Sequence, residues 1–144
     1  MFVDLHDGYL NGLLIEAETT LILHCKTEDG RACTFTMPGM VRLRANNFRE
    51  GNIIFELNIY QGPECPIELV KQLKEYEEAR TDEMLSKDME IIVQGNWTLV
   101  ELTSSYGCDL LALFDCPAAA ARYDVPDVRI KSASSPKAAI TPER

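Results

Sequence analysis

Thr20-Leu-Ile-Leu-His-Cys-Lys-Thr-Glu-Asp-Gly-Arg-Ala-Cys-Thr-Phe-Thr-Met37 alternates apolar and polar residues on both sides of a short polar centre. Period-two alternation marks a half-buried strand, so the stretch reads as two strands joined in a hairpin. Leu21, Leu23 and Cys25 form one face of the first strand; Cys33, Phe35 and Met37 form one face of the second. A two-residue Asp29-Gly30 turn would set Cys25 against Thr34, and the apolar faces would miss each other. A three-residue loop, Glu28-Asp29-Gly30, pairs Cys25 with Cys33, Leu23 with Phe35 and Leu21 with Met37. Burial of the shared face selects this register. The loop class ends on a residue in the left-handed region, which Gly30 enters without steric cost. The two opposed thiols are therefore expected to be buried, reduced and packed with Leu23 and Phe35.

Working outward, further strands are expected over Tyr9 to Ala17, Ile53 to Tyr60, Met89 to Gln94, Trp97 to Thr103 and Cys108 to Cys116. In the segment from 53 to 60, Ile53, Phe55, Leu57 and Ile59 read as one face. The segment from 108 to 116 is apolar on both faces, as in a strand covered on two sides. Gly95-Asn96 suits a type II′ turn between two of these strands. One long helix is expected at about 66 to 80, extendable to Ser86. Pro66 fits its first turn, Leu69, Val70, Leu73 and Tyr76 follow at helical spacing, and acids crowd the other side. Strands, then a helix, then strands give an α+β fold with a mainly antiparallel sheet, a meander closing as a barrel-like or sandwich form. The domain is expected to span 1–116. Residues 117–144, with four prolines and few large apolar side chains, read as a largely disordered tail with a short ordered patch around Tyr123 to Ile130.

Composition narrows the function classes. The 144 residues are 46 % hydrophobic and 26 % charged, as in an ordinary soluble globular domain. Net charge is −9, and residues 1–116 carry nine bases against 20 acids, which argues against binding nucleic-acid phosphate. No apolar run is long enough to span a membrane, and the start Met-Phe-Val-Asp-Leu-His-Asp lacks a secretory pattern. The five cysteines are odd in number and never at CxxC spacing, which indicates reduced thiols and a cytoplasmic protein.

Candidate chemistry is sparse. His6-Asp7 is the most enzyme-like dipeptide, although neighbours on a strand point to opposite faces. The other histidine is His24, between Leu23 and Cys25. No spacing supports a metal site, no nucleophile sits in a catalytic context and no glycine-rich loop could cradle phosphate, so no catalytic residue, metal or cofactor is expected. Arg42, Arg44 and Arg49 beside Asn46, Asn47 and Phe48 read as a polar loop and strand edge, with Phe48 closing the core beside it. Between residues 75 and 90 stand seven acids and two bases. Within that run, Glu75, Glu77, Glu78, Asp82 and Glu83 are the candidate docking surface for a cationic protein partner.

Four pieces of sequence, His6-Asp7, Gly39-Met40-Val41-Arg42-Leu43, Asn47-Phe48-Arg49-Glu50-Gly51-Asn52-Ile53-Ile54 and Tyr106-Gly107-Cys108, together carry a resemblance. The chain is similar over about 100 residues to small bacterial immunity proteins of polymorphic toxin systems, departing at Met40, where valine is usual, and in the tail. The resemblance implies a non-enzymatic role in binding and neutralising a toxin, and brings no catalytic residues with it. The rival reading is a small enzyme or ligand-binding domain using His6, Asp7 or His24, and a third is a structural self-associating module. The sequence gives no oligomeric state.

Overall fold

β1 (Tyr9–Glu16), β2 (Thr20–Lys26) and β3 (Ala32–Met37) form an antiparallel meander. The computed structural model of the protein describes residues 4–74 and 81–125. The β2–β3 register is the expected one: Cys25 opposite Cys33, Leu23 opposite Phe35 and Leu21 opposite Met37. Gly30 has φ 92°. Its N–H donates to Thr27 O at 2.9 Å, and the Thr27 hydroxyl accepts from Arg31 N at 2.9 Å. The buried threonine thus satisfies the backbone of its own loop.

The chain continues through β4 (Met40–Asn46), β5 (Asn52–Gln61), α1 (Ile67–Lys74), α2 (Asp82–Gln94), β6 (Thr98–Tyr106), β7 (Asp109–Phe114) and β8 (Arg122–Asp124). All eight strands join one antiparallel sheet in the order β4-β7-β6-β5-β1-β2-β3-β8, which does not close. Only Pro38 and Gly39 separate β3 from β4, yet these strands lie toward opposite ends of that order. A link this short forces the sheet to bend until its two halves face each other. Met40 N donates to Thr19 O at 2.8 Å across the gap. Leu10, Leu21, Leu23, Phe35 and Met37 from one half then share a core with Ile54, Leu57, Val100, Leu102, Leu110 and Phe114 from the other. A second cluster of Val70, Leu73 and Ile92 packs the helices onto Leu99, Leu111 and Leu113, on the outward side of β6 and β7. β7 is accordingly covered on both faces, as its sequence implies. No helix of the described residues is long and apolar enough to cross a membrane.

Several expectations are corrected. In place of one long helix from 66, the described residues hold two, α1 and α2, while 75–80 lie outside them. Met89 to Gln94, read as a strand, is the C-terminal half of α2. Its Ile91-Ile92-Val93 run suits either structure, and the decision comes from the start of the helix. There the Thr81 hydroxyl accepts from Met84 N at 3.2 Å, and Asp82 and Glu83 sit in the first turn. Gly95-Asn96 is therefore no hairpin turn. Asn96, at φ 54°, takes the left-handed position that ends a helix, and Trp97 N donates back to Ile92 O at 3.0 Å. By contrast, the polar loop and strand edge expected around Arg42, Arg44 and Arg49 are present: β4 is the end strand of the sheet, and Arg49 stands in the loop after it. In β5, register shifts between Ile53, Ile54 and Glu56 turn Ile54 inward and leave Phe55 outside, 47 % exposed. Phe48 is exposed and closes no core. The packed body runs past Cys116: β8 pairs with β3 and lays Tyr123 against Phe35, ring centroids 5.2 Å apart. The rest of the expected tail, 126–144, lies outside the described residues.

The buried Asn52 ties the bend together. Its Oδ1 accepts from Arg49 N at 2.8 Å and Cys108 N at 3.0 Å, and its Nδ2 donates to Leu10 O at 3.1 Å and to Arg49 O. Both amide protons and both lone pairs are thus used, between β1, the turn before β5 and the start of β7. Gly107, at φ 95°, must be glycine, because a Cβ there would come within 2.3 Å of Asn52 Oδ1. Gly51 has φ 79° but nothing within 4 Å of its Cβ position.

Two outcomes follow. Gly107→Ala should destabilise by more than about 2 kcal/mol, because strain and steric conflict combine, while Gly51→Ala should cost only about 1 kcal/mol of backbone strain. Urea unfolding with unchanged slopes would measure both. Burial and the Cys33 neighbour push the Cys25 thiol up to about 12. Cys25, Cys33, Cys65 and Cys108 are buried free thiols, and Cys116 is partly exposed. Titration with a water-soluble thiol reagent should label Cys116 first in the native protein, and the others only as it unfolds.

Candidate functional site

Two clefts flank the outward side of β5. The first is formed where the segment before β1 runs beside β5. Asp7 N donates to Ile54 O and Ile54 N to Gly8 O, both at 2.9 Å, with Asp7 at φ 61°. This places His6 against Phe55, rings edge to face with centroids 5.3 Å apart. The cleft has a volume of about 340 Å³, and Asp4, His6, Phe55, Glu56 and Asn58 are among its lining.

His6 is brought together with its neighbour Asp7, against the alternation expected of a strand, because the two stand in a turn with Asp7 at φ 61°. Its Nδ1 donates to Phe55 O at 2.7 Å, and its Nε2 lies 3.5 Å from Asp7 Oδ2. The Phe55 carbonyl and then Asp7 raise its pKa above the ordinary value; desolvation opposes them, and Asp4 and Glu28 add smaller increases. One ring nitrogen on a backbone carbonyl and the other beside a carboxylate orient the imidazole against β5. His24 lies apart from it, on the outward side of β2, where its ring is 3.4 Å from the position of a Cβ on Gly12.

The second cleft is acidic. The β5–β6 register sets Glu56 opposite Thr103, Asn58 opposite Glu101 and Tyr60 opposite Leu99. Leu57, Leu102, Ile59 and Val100 take the core side, so this row faces outward. Asn58 Nδ2 donates to Glu101 Oε1 at 3.4 Å and more weakly to Glu56 Oε1 at 3.5 Å; Tyr60 OH donates to Glu101 Oε1 at 3.2 Å. Burial and the Glu101 charge raise the Tyr60 pKa, keeping the phenol a donor. Beside this row, Arg44, Asn46, Gln72, Glu101, Thr103 and Asp109 line a cleft of about 260 Å³. Arg44 Nη1 donates to Gln72 O at 3.0 Å, joining β4 to α1. Asp109 Oδ1 accepts from Ser104 N and Oγ at 2.9 and 3.1 Å.

Neither cleft is read from a motif. Glu56, Asn58 and Tyr60 show their period-two spacing in the sequence, but their meeting with Glu101 and Thr103 needs the strand register. Among the residues singled out earlier, Glu75, Glu77 and Glu78 lie outside the described residues. Asp82 and Glu83 are exposed in the first turn of α2, where they also complement the helix dipole. The arginine-rich segment divides: Arg42 and Arg44 fall on β4, while Arg49 stacks over Tyr106 at 5.8 Å. Tyr106 is 47 % exposed, and Tyr9, Ile53 and Tyr106 form a row across β1, β5 and β6.

A raised folded-state pKa means that protonated His6 stabilises the fold fully below the unfolded value of about 6.5, and that this contribution is lost as pH rises through the folded value. The C–H signals of His6 should titrate above 6.5 by NMR, and Asp7→Asn should lower that midpoint. The stability difference between wild type and His6→Gln should shrink between pH 6 and pH 8.

No protein-family profile, no curated protein and no solved structure matches this chain.

Proposed function

We propose that the protein is a non-enzymatic, cytoplasmic binding protein of the immunity type, which neutralises a cationic protein partner through its acidic outward face. One observation carries the reading: the aligned row of Glu56, Asn58, Glu101 and Tyr60 beside exposed Phe55 and Tyr106. Aromatic side chains next to polar and charged ones are the composition of protein-binding surfaces. A net charge of −9 adds long-range attraction for a basic partner. Asp82 and Glu83, exposed at the start of α2, add to the acidic charge the chain presents.

The reading predicts a salt-sensitive association. The product of the adjacent gene, co-expressed with this chain, should co-purify at low ionic strength and lose association rate steeply toward 0.5 M salt. If that product is toxic, the chain should relieve the toxicity, and Glu56→Lys with Glu101→Lys should remove the relief while the protein stays folded. No retained protein at any ionic strength would contradict the reading.

A second reading rests on His6 lining an open cleft of about 340 Å³. A ligand-binding or catalytic role there requires His6→Gln to abolish function, whereas the binding-protein reading requires function to survive it.

A further inference from the structure

We propose that the open edge of β4 receives an extended segment of a partner protein, added antiparallel to the sheet, with carboxylates at alternate positions and an apolar residue between them. Such a segment meets a different part of the sheet from the acidic face and carries the opposite charge to the partner surface drawn there. β4 is an end strand of seven residues, and β7 lies along its one paired side. The other end strand, β8, has only three residues and offers too short an edge. The Asn46 N–H approaches the Cys108 thiol, on the β7 side of β4. Backbone direction alternates along an antiparallel strand. Arg44 and Arg42 therefore turn their N–H and C=O groups toward β7, and Leu43 and Ala45 turn theirs away. Among the described residues, no strand and no backbone hydrogen bond meets the Leu43 and Ala45 groups on that open side. Such a row of main-chain donors and acceptors is a template for one more strand.

The side chains of β4 decide which strand fits. Arg42 and Arg44 stand opposite Leu113 and Leu111, which pack beneath the helices, so both cations lie on the outward face. Arg44 Nη1 donates to Gln72 O, so α1 fixes where that guanidinium stands. Leu43 stands opposite Ala112 and is half-buried against the main core. An added antiparallel strand places one residue directly opposite each of these three, about 5 Å away, where opposite charges attract and like charges repel. Pairing β4 with β4 of a second copy about a two-fold axis brings arginine against arginine, which opposes self-association at this edge. A segment reading acidic, apolar, acidic meets Arg44, Leu43 and Arg42 in turn. Its carboxylates reach the guanidinium groups on the outward face, and its apolar side chain covers Leu43 on the inward one.

The probe is the peptide acetyl-Thr-Val-Glu-Val-Glu-Val-Thr-amide, matched to the seven residues of β4 and titrated into the ¹⁵N-labelled full chain. Comparison arms carry glutamine or lysine in place of both glutamates, or N-methyl groups on the amides that would face β4. Without peptide, the Leu43 and Ala45 amides should exchange with water fast and the Arg44 amide slowly. The glutamate peptide should slow exchange at Leu43 and Ala45 by roughly ten-fold or more. The glutamine peptide should bind roughly five-fold more weakly, the lysine peptide more weakly again, and the N-methylated peptide not at all. Arg42→Glu, with its amide spectrum unchanged elsewhere, should weaken the glutamate peptide and strengthen the lysine one. No slowing at Leu43 and Ala45, equal binding of the glutamate and glutamine peptides, or undiminished binding of the N-methylated one would overturn the proposal. Protection of both amides that grows with protein concentration in the absence of peptide would make a second copy the occupant, and would overturn it too. None of these readouts involves Glu56 or Glu101, so the acidic-face reading stands or falls separately.

Discussion

The Asn52 side chain satisfies backbone groups from three segments that are distant in the chain, and it fixes one corner of the bend that the Pro38-Gly39 link imposes on the sheet. Leu10 belongs to the first meander, Arg49 to the turn before β5, and Cys108 to the start of β7. A single primary amide can serve all of them because it carries two donors and two acceptor lone pairs. The cost of burying such a group is offset only when every one is used. Gly107 is the counterpart of that arrangement, since the amide occupies the space where any other residue would place its Cβ. The conspicuous short segments of the sequence, Asn47 to Ile54 and Tyr106 to Cys108, thus meet at one point and build the fold there.

From that corner the distribution of surfaces follows. The inward faces of both halves of the sheet make the main core, and α1 and α2 cover the outward side of β6 and β7. The outward side of β5 and the far end of β6 stay open. There the alternation of β5 brings Glu56, Asn58 and Tyr60 to the surface beside Glu101. The same register shifts that turn Ile54 into the core push Phe55 out to join them. The exposure of Phe55 beside the acidic row is therefore the result of that local irregularity. His6, clamped between Phe55 O and Asp7, fixes the edge of this surface.

What could be read in advance was what local pattern decides. The β2–β3 register followed from matching two apolar faces across a glycine-ended loop, and the two-sided burial of β7 followed from its unbroken apolar run. The helix over Met89 to Gln94 was hidden because Ile91, Ile92 and Val93 suit a strand equally well, and the deciding Thr81 cap lies eight residues earlier. The strand edge read around Arg42 and Arg44 is β4, the end strand of the sheet, and what the sequence left hidden is its pairing with Leu113 and Leu111 of β7. β8 falls at the start of the ordered patch expected around Tyr123, but its pairing with β3 is a contact that its own composition does not announce. In the candidate site, the acids of the 75–90 run were visible as a run, whereas Glu56 and Glu101 become neighbours only through the register of strands separated by both helices.

Native-state hydrogen exchange at two amides tests the central constraint directly. Arg49 N–H and Cys108 N–H both donate to Asn52 Oδ1, although they belong to different parts of the chain. If the corner is part of the cooperative core that holds the bend, both amides should exchange only through global unfolding, with the same opening free energy as the most protected amides of β6 and β7. Exchange of either by local opening, while those strands remain fully protected, would show that the corner opens independently of the sheet and would contradict the account.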